Sequence, residues 1–388
     1  MAERLKKDAN TDLKTKRDAA FMRAALSWAE VGEGGTRPNP PVGCVIVRGN
    51  DIVASGSHEF AGGPHAEAAA LAALGGDAQG AELYVTLEPC STSGRTPPCV
   101  DAIIRAGITR VVVAATDENP ANAGRGLQML LDAGIEVVTG VCEREARQML
   151  APFFKHVKTK RPYVRLKLAQ SFDGAIADHA GNSKWITCEE SRQYVRELRG
   201  KSDVVLVGCG TVLADNPSLL RSTEHDDERH GQPGMRAVLD ATGRIPLSSQ
   251  IFTDGHASRT IYVTTGVTPA GRVAEVSATG AQVMVLPVAH PANGKVNAKI
   301  SLSVLMERLG AEGYMSVLCE GGAELGSALV AESLVDELLL FVAPIVLGAG
   351  SKRTFGAFPF DLPTAPRFEI DGVERIGRDL LIKALPRI

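Results

Sequence analysis

The sequence has little net charge, few cysteines and no long apolar run. Its formal net charge of −3 leaves no electrostatic footprint for a polyanion, which counts against a protein of long nucleic acids. Seven cysteines are too few for a disulfide framework in a chain of this size. The longest apolar run, 338–350, is too short to cross a bilayer, and the first residues do not resemble a signal peptide. We therefore expect a cytoplasmic protein with no membrane or nucleic-acid partner.

The length predicts more than one domain, because 388 residues exceed one ordinary hydrophobic core. Residues 1–16 are polar and lysine-rich and predict a mobile tail, which an amphipathic helix follows over 19–29. The basic segment 155–162 is typical of a linker. We expect a first domain over 17–156 and a second over 162–388.

Hydrophobic patterning predicts an α/β architecture in both halves. The first half has two strand patterns joined by a turn, then alternating helices and strands, which favours a mostly parallel sheet between two helix layers. Its predicted strands are 42–47, 52–55, 81–87, 110–115 and 135–139. The second half has strand patterns at 163–169, 203–207, 236–240 and 316–320. A capping box at 187–190 predicts a helix that runs to Arg199 and stops at Gly200.

Two short segments contain residues that can hold a catalytic metal. His65 and Glu67 lie in the run Pro64-His65-Ala66-Glu67, and Cys90 and Cys99 enclose a gap of eight residues. One imidazole and two thiolates leave a tetrahedral Zn²⁺ with an open position, where water would have a pKa of about 7. Glu67 could move protons while staying off the metal, as in the zinc deaminases of nucleobases.

The alternative is that these cysteines are ordinary buried thiols, since cysteine is among the most buried residue types. The sequence context favours the metal. A Pro-Pro pair before Cys99 suits a helix start, where the helix dipole stabilises a thiolate. Residues i and i+2 do not face each other along a regular helix, so His65 and Glu67 can converge only in an open first turn. Pro64 predicts that turn.

The second half carries weaker signals. Gly321-Gly322 follows a strand and opens an apolar helix, a geometry that presents backbone N–H groups to a phosphate. Gly208-Cys209-Gly210-Thr211 is a similar turn, and either could be a plain tight turn. Alternation turns Lys167 away from the apolar face of its strand. Lys167 and Glu320 could be catalytic or merely exposed, so the residues alone predict an α/β domain that could bind a nucleotide.

Together these motifs resemble those of the bifunctional deaminase/reductase family of riboflavin biosynthesis, over nearly the whole chain after the polar tail. The gap between the cysteines is specific, because most zinc deaminases of bases separate theirs by two residues. The segments that carry the resemblance are 38–43, 63–67, 86–90 and 94–99 in the first half, and 166–174, 183–187, 210–217 and 320–322 in the second.

The resemblance implies a cytidine-deaminase-like α/β/α sandwich followed by an α/β domain similar in fold to dihydrofolate reductase. The first domain, with one Zn²⁺ per chain, would deaminate 2,5-diamino-6-(5-phosphoribosylamino)pyrimidin-4(3H)-one to the matching uracil derivative. The second would use NADPH to reduce the ribosyl side chain to ribityl. The resemblance further implies a small-molecule substrate and a homo-oligomer.

The resemblance also assigns roles to individual residues. Glu67, Lys167 and Asp215 would be catalytic, and the metal ligands would be His65, Cys90 and Cys99. The residues that meet the substrate would be Asn39, His58, Ser183, Arg199, Leu219, Arg221 and Glu320. The residues that meet the cofactor would be Ala169, Trp185, Thr211, Asp215, Ala241, Gly322, Ala323, Glu324, Leu325, Gly326, Ser327 and Ala328.

The chain departs from the family pattern at two places. Thr92 stands where the family usually has a histidine, so part of the usual grip on the substrate would be missing or replaced. The run after Asp215-Asn216-Pro217 is one residue shorter than usual, and Arg221 is matched across it.

Two rival functions are a deaminase of nucleosides or tRNA bases with an unrelated second domain, and a zinc-stabilised scaffold without catalysis. The cysteine spacing and the acidic charge argue against the first. The presence of Glu67 argues against the second, because a structural zinc site has no use for a proton shuttle.

Overall fold

The computed structural model describes residues 2–92, 97–220, 234–289, 299–356 and 358–387. These residues form two compact units, one ending at Lys160 and the other beginning at Arg161. Each unit has its own sheet and its own hydrophobic core. Among the helices of the described residues, none combines the length and apolar character needed to cross a bilayer.

The first unit is a sandwich of one sheet between two helix layers. In chain order its elements are α1 (Ala2–Ala29), β1 (Gly43–Arg48), β2 (Asp51–Ser57), α2 (Ala66–Ala73), β3 (Glu82–Leu87), α3 (Cys99–Arg105), β4 (Arg110–Ala115), α4 (Arg125–Asp132), β5 (Glu136–Thr139) and α5 (Glu143–Thr159). The strand order is β2-β1-β3-β4-β5. Cys44 and Ile46 of β1 pack with residues of α2, α3 and α4, while α1 and α5 contact strands from the other side. The predicted sandwich is confirmed.

The predicted strands of this half lie within two residues of the observed ones, but the sheet is mixed instead of mostly parallel. Strand β1 runs antiparallel to both β2 and β3, whereas β3, β4 and β5 are parallel. The reason is the opening hairpin. It inserts β1 between β2 and the first strand of the parallel series, a neighbour relation that the one-dimensional pattern does not specify.

Two further expectations for this unit need correction. Helix α1 begins at Ala2, so the segment predicted as a mobile tail is helical. Residues 2–29 contain neither glycine nor proline, so nothing in the backbone stops the helix before Ala19. The supposed linker likewise belongs to α5 up to Thr159, and the helix ends where Lys160 adopts a positive φ of 57°.

The second unit is built on a nine-stranded sheet. Its elements are β6 (Tyr163–Ser171), β7 (Ala175–Ala177), α6 (Glu189–Gly200), β8 (Val204–Gly208), α7 (Cys209–Asp215), β9 (Met235–Leu239), α8 (Gln250–Thr253), β10 (Thr260–Thr265), α9 (Ala270–Ala278), β11 (Gln282–Leu286), α10 (Leu302–Ala311), β12 (Ser316–Cys319), α11 (Ala323–Ala331), β13 (Glu337–Ala343), β14 (Lys352–Arg353), β15 (Phe368–Ile376) and β16 (Asp379–Pro386). The order across the large sheet is β11-β10-β9-β8-β12-β6-β13-β16-β15.

Seven strands of this sheet, from β11 to β13, are parallel, and the antiparallel hairpin β15–β16 closes one side. The carboxyl ends of the parallel strands therefore share one edge, where ligands of open α/β sheets bind. In β6, Val164, Leu166 and Leu168 enter the main core. Lys167 lies on the opposite face, as the alternation predicted, over the ring of Phe341.

Helix α6 begins and ends near the predicted residues but lacks the predicted capping box. Its N-cap is Cys188, which makes no side-chain capping hydrogen bond. The cap comes instead from Asp379, at the start of β16. One carboxylate oxygen accepts from the backbone N–H of Cys188 at 2.8 Å and from the Ser191 hydroxyl at 2.6 Å. Asp379 is fully buried, and its position about 190 residues away in sequence made it invisible to a local motif.

Candidate active sites

The three predicted metal ligands of the first unit meet where two helices begin. His65 is the N-cap residue of α2, Cys99 is the first residue of α3, and Cys90 lies in the loop after β3. The Sγ atoms of Cys90 and Cys99 lie 3.5 and 3.3 Å from Nδ1 of His65. All three ligand atoms lie within 4.8 Å of one another. The structure thus brings together residues that are 25 and 34 positions apart in the sequence.

This donor set fits zinc. One imidazole nitrogen and two thiolates are ligands that zinc prefers, and three protein ligands leave the fourth position open for water or substrate. The backbone N–H of Cys99 donates to Sγ of Cys90 over 3.3 Å. Hydrogen bonding with the Cys99 thiol lowers the pKa of Cys90. A lowered thiol pKa favours the thiolate, which is the form that binds a metal.

Glu67 lies in the first turn of α2, next to this cluster but not among the three ligands. The residue is only 3% exposed. Burial raises the pKa of its carboxyl group to about 6, and the negative charge of Cys90 adds to the effect. The geometry thus sets a carboxyl group beside the metal position, shielded from bulk water and able to exchange protons.

Buried polar contacts that the sequence reasoning missed hold the loop of Cys90. Glu88 is 3% exposed. Its carboxylate accepts three backbone N–H groups from the segment 117–126, at 3.0 to 3.1 Å. Gly126 has to be glycine, because a Cβ there would lie 2.2 Å from the carbonyl oxygen of Pro89. The available signal was a charged residue directly after the buried end of β3, at Leu87.

Asn39 and His58, both predicted to meet the substrate, lie side by side next to the metal cluster. His58 is 2% exposed, and its ring packs edge-on against His65 with centroids 5.3 Å apart. Its Nδ1 lies 2.9 Å from the carbonyl oxygen of Pro64, and its Nε2 lies 3.1 Å from Nδ2 of Asn39. A carbonyl can only accept, so Nδ1 carries the proton and Nε2 accepts from the Asn39 amide. Burial lowers the pKa of His58, which favours this neutral form.

In the second unit, Lys167, Arg199 and Glu320 form one charged cluster assembled from β6, the end of α6 and the residue after β12. Arg199 donates to both carboxylate oxygens of Glu320, from Nε at 2.6 Å and from Nη2 at 3.0 Å. Desolvation lowers the pKa of Lys167, and the nearby Glu320 carboxylate opposes that shift. Burial acts to raise the pKa of Glu320, but Arg199 and Lys167 together hold it below its usual value.

Asp215 is the last residue of α7 and faces the loop that contains Ser183, a predicted substrate contact. The hydroxyl of Ser183 donates to its carboxylate over 3.3 Å. Nζ of Lys184 donates to its backbone carbonyl over 3.2 Å and lies 3.9 Å from a carboxylate oxygen. Trp185, next in the chain, is 66% exposed, and the guanidinium of Arg192 stacks over its ring at 4.5 Å.

The predicted cofactor residues gather along the carboxyl edge of the sheet. Thr211 follows β8, Ala241 follows β9, and Gly322 follows β12. A Cβ built at Gly210 or Gly322 would meet no atom within 4 Å, so both turns face open space. These observations fit a bound dinucleotide, which needs backbone exposed at strand ends.

Several predicted residues lie elsewhere. Leu325 packs in the core and Gly326 packs on Leu166 and Leu168, so these two face the sheet and not the open edge. Ser327 is fully buried, and its hydroxyl makes no hydrogen bond with the described residues. Leu219 is 2% exposed with a φ of +65°. Arg221 lies outside the residues that the structure describes, and Thr92 is exposed.

Comparison with known proteins identifies the family. A family model described as the RibD C-terminal domain matches residues 162–382, and one described as the cytidine and deoxycytidylate deaminase zinc-binding region matches 15–115. The riboflavin biosynthesis protein RibD of Aquifex aeolicus is 40% identical over 366 residues, which cover 94% of this chain and 97% of that protein. The chain belongs to the RibD family.

Other members agree with this assignment. RibD of Escherichia coli is 39% identical over 375 residues, covering 94% of this chain and 98% of that protein. A solved structure of Acinetobacter baumannii RibD superposes with a TM-score of 0.82 at 38% identity, covering 96% of this chain and 100% of that one. A Thermotoga maritima structure, described as a diaminohydroxyphosphoribosylaminopyrimidine deaminase/5-amino-6-(5-phosphoribosylamino)uracil reductase, superposes with 0.80 at 33% identity and the same coverage.

The resemblance drawn from the motifs is thereby confirmed, as are the predicted fold classes of both halves. The protein is a bifunctional deaminase/reductase of riboflavin biosynthesis, with a zinc-binding deaminase domain and a reductase domain. The first domain implies zinc and the second a nucleotide cofactor. Its substrate is a small molecule.

Proposed function

We propose that the first unit deaminates 2,5-diamino-6-(5-phosphoribosylamino)pyrimidin-4(3H)-one and that the second reduces the resulting 5-amino-6-(5-phosphoribosylamino)uracil with NADPH. The similarity to the Thermotoga maritima protein, whose name gives both activities, supports this choice of substrates. The observation that carries the proposal is the convergence of one histidine and two cysteines beside a buried glutamate.

For deamination we assign His65, Cys90 and Cys99 as ligands of one zinc ion per chain. Zinc, when bound, supplies a Lewis acid that lowers the pKa of water to about 7. Glu67 takes a proton from the attacking water and delivers it to the pyrimidine ring nitrogen. It then takes the remaining proton of the added hydroxyl group and delivers it to the amino group, which leaves as ammonia. Its burial beside the cluster keeps it within reach of all three positions while bulk water is excluded.

Asn39 and His58 hold the pyrimidine in this mechanism. The Asn39 amide donates its N–H to His58, and its side-chain carbonyl oxygen, which makes no hydrogen bond within the described residues, would accept from an N–H of the substrate. The His58 ring is itself fixed by the Pro64 carbonyl, one residue before the ligand His65. These hydrogen bonds connect the residues that hold the substrate with the backbone next to a metal ligand.

For reduction we assign Lys167 and Asp215 as catalytic residues and Ser183, Arg199, Arg221 and Glu320 as substrate contacts, and we leave out Leu219 because it packs in a hydrophobic cluster. NADPH, when bound, supplies the hydride. Lys167 stabilises the charge that develops on the sugar oxygen as the ribose ring opens, or donates a proton to it. Arg199 and Glu320 keep the ammonium in place through charge, because their ion pair lies close enough to shift its pKa.

The cofactor would lie along the carboxyl edge of the sheet, against Ala169, Trp185, Thr211, Asp215, Ala241 and residues 322–324 at the start of α11. The open turns at Gly210 and Gly322 support this placement. The domains would span 17–156 and 162–388 and act in a homo-oligomer that binds no nucleic acid. None of the seven cysteines forms a disulfide, which suits the reducing cytoplasm.

The decisive experiment supplies the purified protein with the diaminopyrimidine phosphate, with and without NADPH. Without NADPH we expect ammonia and the aminouracil phosphate to accumulate. With NADPH we expect one equivalent to be oxidised and the ribityl product to form. Release of ammonia from cytidine or adenosine, with none from the diaminopyrimidine phosphate, would contradict the proposal.

A further inference from the structure

The turn after β9, at the carboxyl edge of the second sheet, is held by hydrogen bonds to a buried carboxylate. Asp240 is fully buried. Its carboxylate accepts from the backbone N–H groups of Gly243 at 3.1 Å and Ile245 at 2.8 Å, and from the hydroxyl of Tyr262 at 2.9 Å. Gly243 has a φ of +80°, which only glycine adopts without strain. The hydrogen bonds to Gly243 and Ile245 fix the backbone on both sides of Arg244.

The guanidinium of Arg244 lies over the ends of two neighbouring strands. Gly208 at the end of β8 pairs with Leu239 at the end of β9, so the turns that follow them are adjacent. Arg244 is exposed and donates from Nη2 to the Sγ of Cys209, the residue after Gly208. This contact takes up one of the five N–H donors of the guanidinium, and within the described residues the other donors make no hydrogen bond.

We propose that Arg244 binds a phosphate monoester, namely the 2′-phosphate of NADPH, and so sets the preference for NADPH over NADH. The inference rests on the proposed function of the second unit. A guanidinium presents a planar fork of donors that matches phosphate oxygens, and charge-assisted bonds of this kind are strong. NADH has a neutral hydroxyl at the same position and would gain nothing from the charge.

The location distinguishes the cofactor from the other phosphate monoester, the 5-phosphate of the phosphoribosyl substrate. Arg244 lies three residues after Ala241 and contacts Cys209, two residues before Thr211, and both of those positions are assigned to the cofactor. The charged cluster assigned to the substrate is built instead from Lys167, Arg199 and Glu320, on other strands and on α6.

The test measures binding to the full-length protein by calorimetry, with 2′,5′-ADP, 5′-ADP and ribose 5-phosphate as probes. Wild-type protein should bind 2′,5′-ADP more tightly than 5′-ADP. Arg244→Gln should weaken 2′,5′-ADP binding by about 10- to 100-fold, the value of a hydrogen bond to a charged group, and leave the affinity for 5′-ADP nearly unchanged. Arg244→Lys should restore part of the loss. In turnover, Arg244→Gln should raise the KM for NADPH relative to that for NADH.

Arg308→Gln is the matched control. Arg308 is an exposed arginine in the last turn of α10, just before β12 begins, and so lies at the opposite edge of the sheet. The Arg308→Gln protein should bind all three probes with the affinity of the wild type.

Two results would overturn the inference while leaving the proposed function intact. One is unchanged 2′,5′-ADP binding in Arg244→Gln with normal use of NADPH. The other is loss of ribose 5-phosphate binding alone, which would assign Arg244 to the substrate. If the wild-type protein fails to reduce the aminouracil phosphate both with NADPH and with NADH, the proposed function itself is wrong.

Discussion

The two units build their sites in opposite ways. In the first, the proposed metal ligands lie in short sequence segments at the starts of α2 and α3, and they are residue types that bind metals. In the second, Lys167, Arg199 and Glu320 are ordinary charged residues from three separate elements. Lys167 and Glu320 lie 153 positions apart in the sequence. A metal site needs particular donors at close spacing, whereas an ionic site needs only that the topology bring charges together.

Removing a metal ligand should have the largest effect and should leave the second unit intact. We expect Cys90→Ser and Cys99→Ser proteins to lose their zinc, because a hydroxyl is a poor replacement for a thiolate. Deamination should fall to background, while reduction of supplied aminouracil phosphate continues. Metal analysis and the two separate assays measure this.

The control for these variants is Cys142→Ser, since Cys142 lies in the same unit and its thiol donates to the backbone carbonyl of Ala19, away from the proposed ligands. That protein should keep its zinc. Full zinc content in both ligand variants would refute the assignment of the site.

Glu67→Gln should separate metal binding from proton transfer. The variant keeps the shape of the side chain but cannot carry a proton, so deamination should fall by about 10²- to 10⁴-fold with normal zinc content. Glu143→Gln, an exposed residue of the same unit paired with Arg147, should behave like the wild type. Near-normal deamination by Glu67→Gln would remove Glu67 from the mechanism.

Lys167→Ala tests the ionic site in the same way. Losing a group that stabilises developing charge should lower the reductase rate by about 10²- to 10³-fold without affecting deamination. Lys383→Ala provides a control, because Lys383 also lies near an aromatic ring but pairs with Glu374 on the hairpin β15–β16. An unchanged reductase rate would show that Lys167 is merely a solvated residue.

Glu320→Gln should produce the smallest effect, a shift in pH dependence. The Glu320 carboxylate raises the pKa of Lys167 against the lowering caused by desolvation. Without that charge the pKa of Lys167 falls further, so the protonated form is lost at lower pH. The alkaline limb of the reductase kcat/KM profile should therefore move to lower pH.

The matched control is Glu337→Gln, because Glu337 pairs with Arg165 at 2.8 Å in the same sheet. The reductase pH profile of Glu337→Gln should match that of the wild type. If the alkaline limb of the Glu320→Gln profile does not move, Lys167 does not act as the protonated group.

Local patterns predicted much of the fold. The strands of the first unit were predicted to within two residues, because alternation and short turns are properties of neighbouring residues. The alternation in β6 also put Lys167 on the correct face. The predictions that failed concern contacts between segments far apart in the chain. The position of β1 between β2 and β3 and the capping of α6 by Asp379 both depend on segments far apart in the chain.

The same division applies to the sites. The sequence by itself was enough to predict that His65, Cys90 and Cys99 come together beside Glu67, since proline and cysteine at helix starts carry that information locally. Only the tertiary structure decided that Arg199 pairs with Glu320 beside Lys167, that Glu88 ties down the loop of Cys90, and that Arg244 lies on Cys209. Charge pairing and buried hydrogen bonds depend on distance in space, and the order of strands in a sheet sets that distance.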